Sequence, residues 1–142
     1  MKLTKTSTQA ALAMAFLSQQ PESRPVQARQ VADHLGIPND SALKVLQALA
    51  RQRLLRSRLG RAGGYQMSRP ASAVTLLEII EAIDGPVHAE LPLTADGPAF
   101  DHPLGLLADA CRRSAECLRE ELGRQTVADL VEPAAAPLAV AG

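Results

Sequence analysis

Residues 27–65 restrict the fold of this 142-residue chain more than any other stretch. Between Gln27 and Gly36, the apolar residues Ala28, Val31, Ala32 and Leu35 recur at i, i+3, i+4 and i+7, the spacing of one buried helix face. Gly36 can stop that helix in a left-handed conformation, and Ile37 and Pro38 turn the chain. Asn39, Asp40 and Ser41 offer helix caps. A second periodic run follows to Leu54, with Ala42, Val45, Leu46 and Leu49 facing inward and Ser41, Lys44, Ala48 and Arg51 assigned to the opposite face. Ala48 is small enough for that face to approach another surface. Two short strand candidates, 54–58 and 64–68, then flank a turn over 59–63 whose glycines permit a tight hairpin. Arg58 and Arg61 should project from its tip.

Helix, tight turn, helix and basic hairpin in this order predict a mainly α fold, a winged helix-turn-helix with a small two-stranded wing. Such a fold presents one helix to the DNA major groove. Upstream, residues 5–19 are rich in Ala and Leu, with Met14 and Phe16, and predict a buried first helix; residues 21–25 form a loop. Downstream, Thr75 and Glu78 have the spacing of a capping box. They open a helix whose buried stripe is Leu76, Ile79, Ile80 and Ile83 and which ends at Asp84, Gly85 and Pro86.

Residues 87–101 have no clear period. Pro103 suits the first turn of a long helix capped by Asp101 or His102. Leu104, Leu107, Cys111, Ala115, Leu118 and Leu122 make a stripe along it about 30 Å in length. A long helix beside a small head usually meets a second copy of itself. The expectation is therefore a symmetric homodimer with Leu104, Leu107, Cys111, Leu118 and Leu122 at its interface; the alternative is that the helix packs back on its own head. Residues 126–130 predict a short closing helix. The expected division is a DNA-binding head over 1–86, a loop and dimerisation helix over 87–132, and a disordered Ala/Pro-rich tail over 133–142.

The formal net charge of zero hides a division. Residues 1–70 carry 11 Lys/Arg and 3 Asp/Glu, or +8, and residues 71–142 carry 4 and 12, or −8. The basic half coincides with the helix-turn-helix pattern, which suits a polyanionic partner. The only aromatic residues are Phe16, Tyr65 and Phe100, too few for the stacking platforms of single-strand binders, so double-stranded DNA is the expected partner. The contact candidates are Lys2 and Lys5 near the first helix, Asn39, Ser41, Lys44 and Arg51 on the third, and Arg58, Arg61 and Gly63 in the wing. Lys44 and Arg51 also suit a plain solvated face. A glycine-flanked hairpin tip has little structural reason to be basic.

The longest apolar run, 10–17, is far short of the roughly 20 residues of a membrane span. No secretory leader is recognisable at the start. A cytoplasmic location without membrane attachment is expected, with both cysteines reduced. No nucleophile elbow, phosphate loop or metal motif is present, so no catalytic residue, metal ligand or enzymatic activity is expected.

Several blocks resemble, in order, the bacterial regulator family that includes the iron–sulfur regulator IscR, the nitric-oxide-sensing NsrR and the cysteine-metabolism repressor CymR. They are residues 1–4, the recognition-helix core 44–49, residues 55–57 and 63–65 around the wing, the block 74–86, and 126–130. With this resemblance, the leading expectation is a dimeric, sequence-specific transcriptional regulator that acts as a repressor. Family members that hold an iron–sulfur cluster place three cysteines before the long helix. Counted back from Thr126, those positions fall on Thr94, Phe100 and Leu106, none a thiolate. Cys111 and Cys117 keep the family's mutual spacing but lie later, and there is no third cysteine. A cluster here would need two further ligands from His34, His88, His102 or a carboxylate. The expectation is therefore no cofactor.

The wing has Leu59 and Gly60 where relatives often have Arg-Gly, and the recognition helix differs at Ser41 to Leu43, so operator preference does not carry over. Cys111 fits the packing stripe, and six residues do not bring Cys117 to the same helical face. The signal would be a small-molecule effector or a thiol change, or the regulator would be constitutive. Two other readings stay open: a winged-helix protein-interaction module, and a redox- or metal-sensing regulator using Cys111 and Cys117.

Overall fold

The computed structural model describes residues 1–92 and 97–133. Its first helix, α1 (Lys5–Ser18), buries Ala10, Ala13, Met14 and Leu17 at the centre of the core. Small alanines let neighbouring backbones approach, and Met14 fills the gaps between them. Thr4 caps α1, its hydroxyl accepting the Ser7 N–H at 3.0 Å. Phe16 is only half-buried; its ring stacks on His34 with 4.1 Å between centroids.

α2 (Ala28–Leu35) and α3 (Asn39–Arg51) pack on α1 through Val31, Ala32, Ala42, Val45, Leu46 and Leu49, all buried as their periodicity requires. The turn between them is set by Gly36 at φ 64°, followed by a bond from the Ile37 N–H to the Ala32 carbonyl at 3.0 Å. α3 begins one residue earlier than the caps suggest. Pro38 is its N-cap, with the Pro38 carbonyl accepting Ser41 and Ala42, so Asn39 to Ser41 lie inside the first turn rather than capping it. α3 also ends at Arg51, not Leu54. Arg53 takes φ 60° beyond it, and Leu54 folds back into the core.

β1 (Leu55–Arg58) pairs antiparallel with β2 (Gly64–Met67), Leu55 opposite Met67 and Arg58 opposite Gly64. Val26 adds a third strand position, exchanging both backbone bonds with Tyr65 at 2.9 and 2.8 Å. Only glycine fits at position 64 beside it. Its φ is +149°, and a Cβ there would lie 2.5 Å from the Val26 carbonyl oxygen.

α4 (Leu76–Asp84) carries the expected capping box. Glu78 N–H donates to the Thr75 hydroxyl at 3.2 Å, and the Glu78 carboxylate accepts the Thr75 N–H at 2.9 Å. Ile79 and Ile80 are buried, and Leu76 and Ile83 half-buried. The Thr4 hydroxyl donates to Asp84 at 2.7 Å, tying the start of α1 to the end of α4.

α5 differs from expectation at its start. It runs Pro98–Arg124, 27 residues, with Gly97 as N-cap and Pro98 in the first turn. Pro103, Asp101 and His102 are thus inside the helix rather than at its cap. Both prolines suit a first turn, but Pro98 follows a glycine at φ 125° that can make the entry turn. Pro103 only leaves the Ala99 carbonyl without its usual helical partner. At 1.5 Å per residue α5 is about 40 Å in length, and none of its residues is fully buried. Finally α6 (Val127–Val131), capped by Thr126 and Asp129, returns to the head. Its Val127 N–H bonds the Val74 carbonyl at 2.9 Å, and its side chain is completely buried in the core. No helix among the described residues is long and apolar enough to cross a membrane. The expected tail lies outside the described residues from 134 onward.

Candidate nucleic-acid interface

The rotation of α3 decides which of its side chains meet a partner. Its core face, 42, 45, 46 and 49, leaves Asp40, Lys44, Gln47 and Arg51 on the solvent side at i, i+4, i+7 and i+11. Lys44 and Arg51 thus sit where expected. Ser41 and Ala48 do not: both are half-buried on the flank of the helix rather than at the centre of the opposite face. Gln47 takes the central place and was not foreseen. Asn39 is exposed at the first helical position.

The wing tip is shaped by its glycines. The Gly63 N–H closes the turn onto the Gly60 carbonyl at 3.0 Å. A Cβ on Gly63 would lie 2.1 Å from the Arg58 carbonyl oxygen, so the position is steric in origin, and Gly63 is buried under the tip. Arg58, Leu59 and Arg61 are exposed on it. The Gln27 side chain, at the start of α2, reaches the Arg61 carbonyl at 3.4 Å and fixes the wing against the helix-turn-helix. Between them lies a cleft of about 310 Å³ that gathers Arg24, Gln27, Gln30, Arg58 and Arg61. Arg24 is the second residue that the sequence did not point to. Its loop and the wing are more than 30 residues apart in the chain, and the Val26–Tyr65 pairing, with the Gln66 bond to the Glu22 carbonyl, brings them together.

Lys5 is exposed at the first position of α1. Lys2 lies elsewhere. It lines a groove of about 680 Å³ between the chain start, the end of α4 and α5, with Leu3, Ile80, Val87, Cys111 and Leu118.

Charge pairing divides the molecule as the sequence does. Of the 11 basic residues in 1–70, Arg69 alone forms an ion pair with a described carboxylate, Glu78 at 2.8 Å. In the acidic half Arg112, Arg119 and Arg124 are all paired with described carboxylates. The head therefore keeps ten cationic side chains uncompensated by described neighbours, and those of α3 and the wing are exposed. Such a surface attracts a polyanion and gains entropy by releasing its counterions.

Cys111 is half-buried on α5, Cys117 is exposed, and neither is in a disulfide. No three His, Cys, Asp or Glu residues among those described are grouped to hold a metal ion.

The family model described as an iron-dependent transcriptional regulator, Rrf2, matches residues 3–133. A protein of Mycobacterium tuberculosis assigned as an HTH-type transcriptional regulator is 29% identical over 130 residues, covering 92% of this chain and 81% of its own. The fold is similar to that of CymR, the global cysteine regulator of B. subtilis, with a TM-score of 0.72 at 21% identity, covering 92% of this chain and 96% of that one. It is also similar to a protein of Listeria innocua assigned as a transcriptional regulator, with a TM-score of 0.76 at 18% identity, covering 100% of this chain and 94% of that one.

Proposed function

The chain belongs to the Rrf2 family of transcriptional regulators, and we propose that it reads double-stranded DNA sequence-specifically as a cytoplasmic homodimeric repressor that uses no iron–sulfur cluster. The observation that carries this reading is the uncompensated basic surface of α3 and the wing. α3 would enter the major groove with Lys44, Gln47 and Arg51. The wing would set Arg58 and Arg61, with Arg24 behind them, against the backbone or the adjacent minor groove. Lys5 would meet phosphate at the start of α1. Promoter occupancy by such a dimer blocks polymerase, which is repression in its simplest form.

The dimer reading rests on α5. Phe100, Leu104, Leu107 and Cys111 continue one stripe at i, i+4, i+7 and i+11, and Phe100 and Leu107 are 46% and 51% exposed. The C-terminal part of the helix is engaged by its own head, where Arg119 pairs with Glu81. The interface therefore concentrates at the N-terminal part of the helix, with Phe100 added to the residues foreseen. A Leu107→Glu variant should sediment as a monomer while keeping its helical circular dichroism. A dimer that survives this change excludes the face.

The donors do not fit a cluster. Phe100 and Leu106, at two of the positions that relatives fill with cysteine, are exposed side chains of α5 without a ligating atom, and Thr94 lies outside the described residues. Cys111 and Cys117 point from different faces of one helix. Regulation would then come through an effector or a thiol change.

The test is binding of the full chain to DNA fragments, including its own promoter region, across a salt series. Saturable binding to a palindromic fragment that weakens steeply with salt is expected. Weak binding, equal on every fragment and insensitive to salt, would instead favour a winged-helix module that grips a protein.

A further inference from the structure

Behind the wing, on the side away from its tip, lies a polar cavity of about 300 Å³. It is bordered by the end of α1, the loop leading to Val26, and the segment that continues β2 through Ser68 and Arg69 to Ala71. Three arginines, Arg24, Arg56 and Arg69, line it against one acidic residue, Glu22, which is exposed to solvent. Arg69 is engaged by Glu78. Arg24 and Arg56 have no described carboxylate partner; Arg56 makes only a 3.5 Å bond to the Ser68 carbonyl. Two arginines without a described carboxylate partner beside one cavity favour an anion there. The volume is at the lower end of small-molecule sites, which fits a compact metabolite.

Arg24 also lines the cleft under the wing tip, with Arg58 and Arg61. Arg24 thus borders both cavities. The walls are held independently of any ligand: Gln66 donates to the Glu22 carbonyl at 2.6 Å, and Val26 pairs with Tyr65.

We propose that this cavity is an effector site for a small organic dianion, a dicarboxylate or phosphate ester, and that the bound anion competes with DNA for Arg24. The coupling rests on the DNA-binding reading given above; the site itself does not. An anion in the cavity draws Arg24 inward and neutralises part of the charge behind the wing. The wing cleft then loses one of its three arginines, and operator affinity falls.

The chain contains one tyrosine, Tyr65, and no tryptophan, and Tyr65 lines the cavity, so intrinsic fluorescence reports from the site itself. The full chain, without DNA, is titrated with succinate, with inorganic phosphate and with sodium chloride at matched ionic strength. A saturable change with succinate or phosphate but not chloride is expected, and which anion saturates distinguishes a carboxylate from a phosphate ligand. Arg56→Gln should weaken that binding ~tenfold or more, with circular dichroism unchanged because Arg56 is exposed. A drift with both anions no different from chloride overturns the site, as does saturation unaltered in Arg56→Gln. A second titration, of operator DNA at saturating anion, should show a loss of affinity beyond the chloride control that disappears in Arg24→Gln. Anion binding without that excess loss overturns the competition. Because the first titration contains no DNA, failure of the DNA-binding reading leaves it readable.

Discussion

Arg119 of α5 donates to the carboxylate of Glu81 on α4, and the same carboxylate accepts the Val87 N–H at 2.9 Å. Arg119 also reaches the Val87 carbonyl at 3.3 Å. One carboxylate thus joins the long helix, the head and the first residue of the connecting loop. Its side chain is only 26% exposed, so removing it takes a half-buried acceptor from two donors. Glu81→Ala should cost about 1–2 kcal/mol in urea unfolding, as expected for hydrogen bonds to a charged group. Arg119→Ala, at a more exposed position, should cost about 1 kcal/mol or less. The double variant should cost clearly less than the sum of the two. Additive losses would mean that the three groups do not act as one joint.

Arg53 breaks a local rule at the other end of the head. The Leu54 N–H bonds the Leu49 carbonyl at 3.0 Å and the Arg53 N–H bonds Ala50 at 2.9 Å, the two bonds of a Schellman motif. The residue between helix and return is left-handed at φ 60°, where glycine is normal and arginine is strained. Arg53→Gly should stabilise the protein by about 1 kcal/mol, a rise of roughly 2–4 °C in Tm at this size. Gln52→Gly, at φ −87°, has no such strain to relieve and should destabilise. Equal effects from the two would argue against strain at Arg53.

Much of this fold was legible because its signals are local. Gly36, the Thr75–Glu78 capping box and the 42, 45, 46, 49 stripe each specify their element within one or two turns. The start of α5 was not, because Pro98 and Pro103 are both acceptable in a first turn and no local rule separates them. The exposed face of α3 was read about 50° off, a seventh of a turn. The stripes 41, 44, 48, 51 and 40, 44, 47, 51 share two residues, and the second lies directly opposite the buried stripe 42, 45, 46, 49, which the half-burial of Ser41 and Ala48 on the flank makes plain. Arg24 and the reason for Gly64 were hidden altogether, since both depend on Val26 pairing across nearly 40 residues.

Glu78 should link stability to acid. Partial burial pushes its carboxyl pKa up, but this is outweighed by the Thr75 backbone N–H, then by the hydrogen bond and charge of Arg69, so the net shift is downward. A folded-state pKa below the unfolded one contributes stability that is complete above the unfolded value and is lost as pH falls through the folded value. Glu78→Gln keeps a capping side chain at this position but removes the charge. The variant should be less stable than the parent at neutral pH, and the gap should close on the acid side of the ordinary glutamate range. Thermal melts from neutral to acid pH measure this; a gap independent of pH would remove Glu78 from the acid response.

Contacts that position the protein and contacts that read sequence should separate in their salt dependence. A phosphate contact releases about one counterion, whereas a base-edge contact releases none. Arg58 and Arg61 are exposed on the wing without a described ion-pair partner. Each, changed to Ala, should weaken binding on operator and scrambled fragments alike and lower the salt slope by about 1. Gln47 is neutral and central on the exposed face of α3. Gln47→Ala should leave the slope unchanged and cost about 1–3 kcal/mol on the operator alone, the range for losing one good base contact. Arg113, exposed on α5 and also without a described ion-pair partner, is the control for bulk charge; Arg113→Ala should alter neither quantity. If Arg113→Ala lowers the slope as much as the wing variants, the dependence reflects net charge, and the wing loses its assignment as the backbone contact.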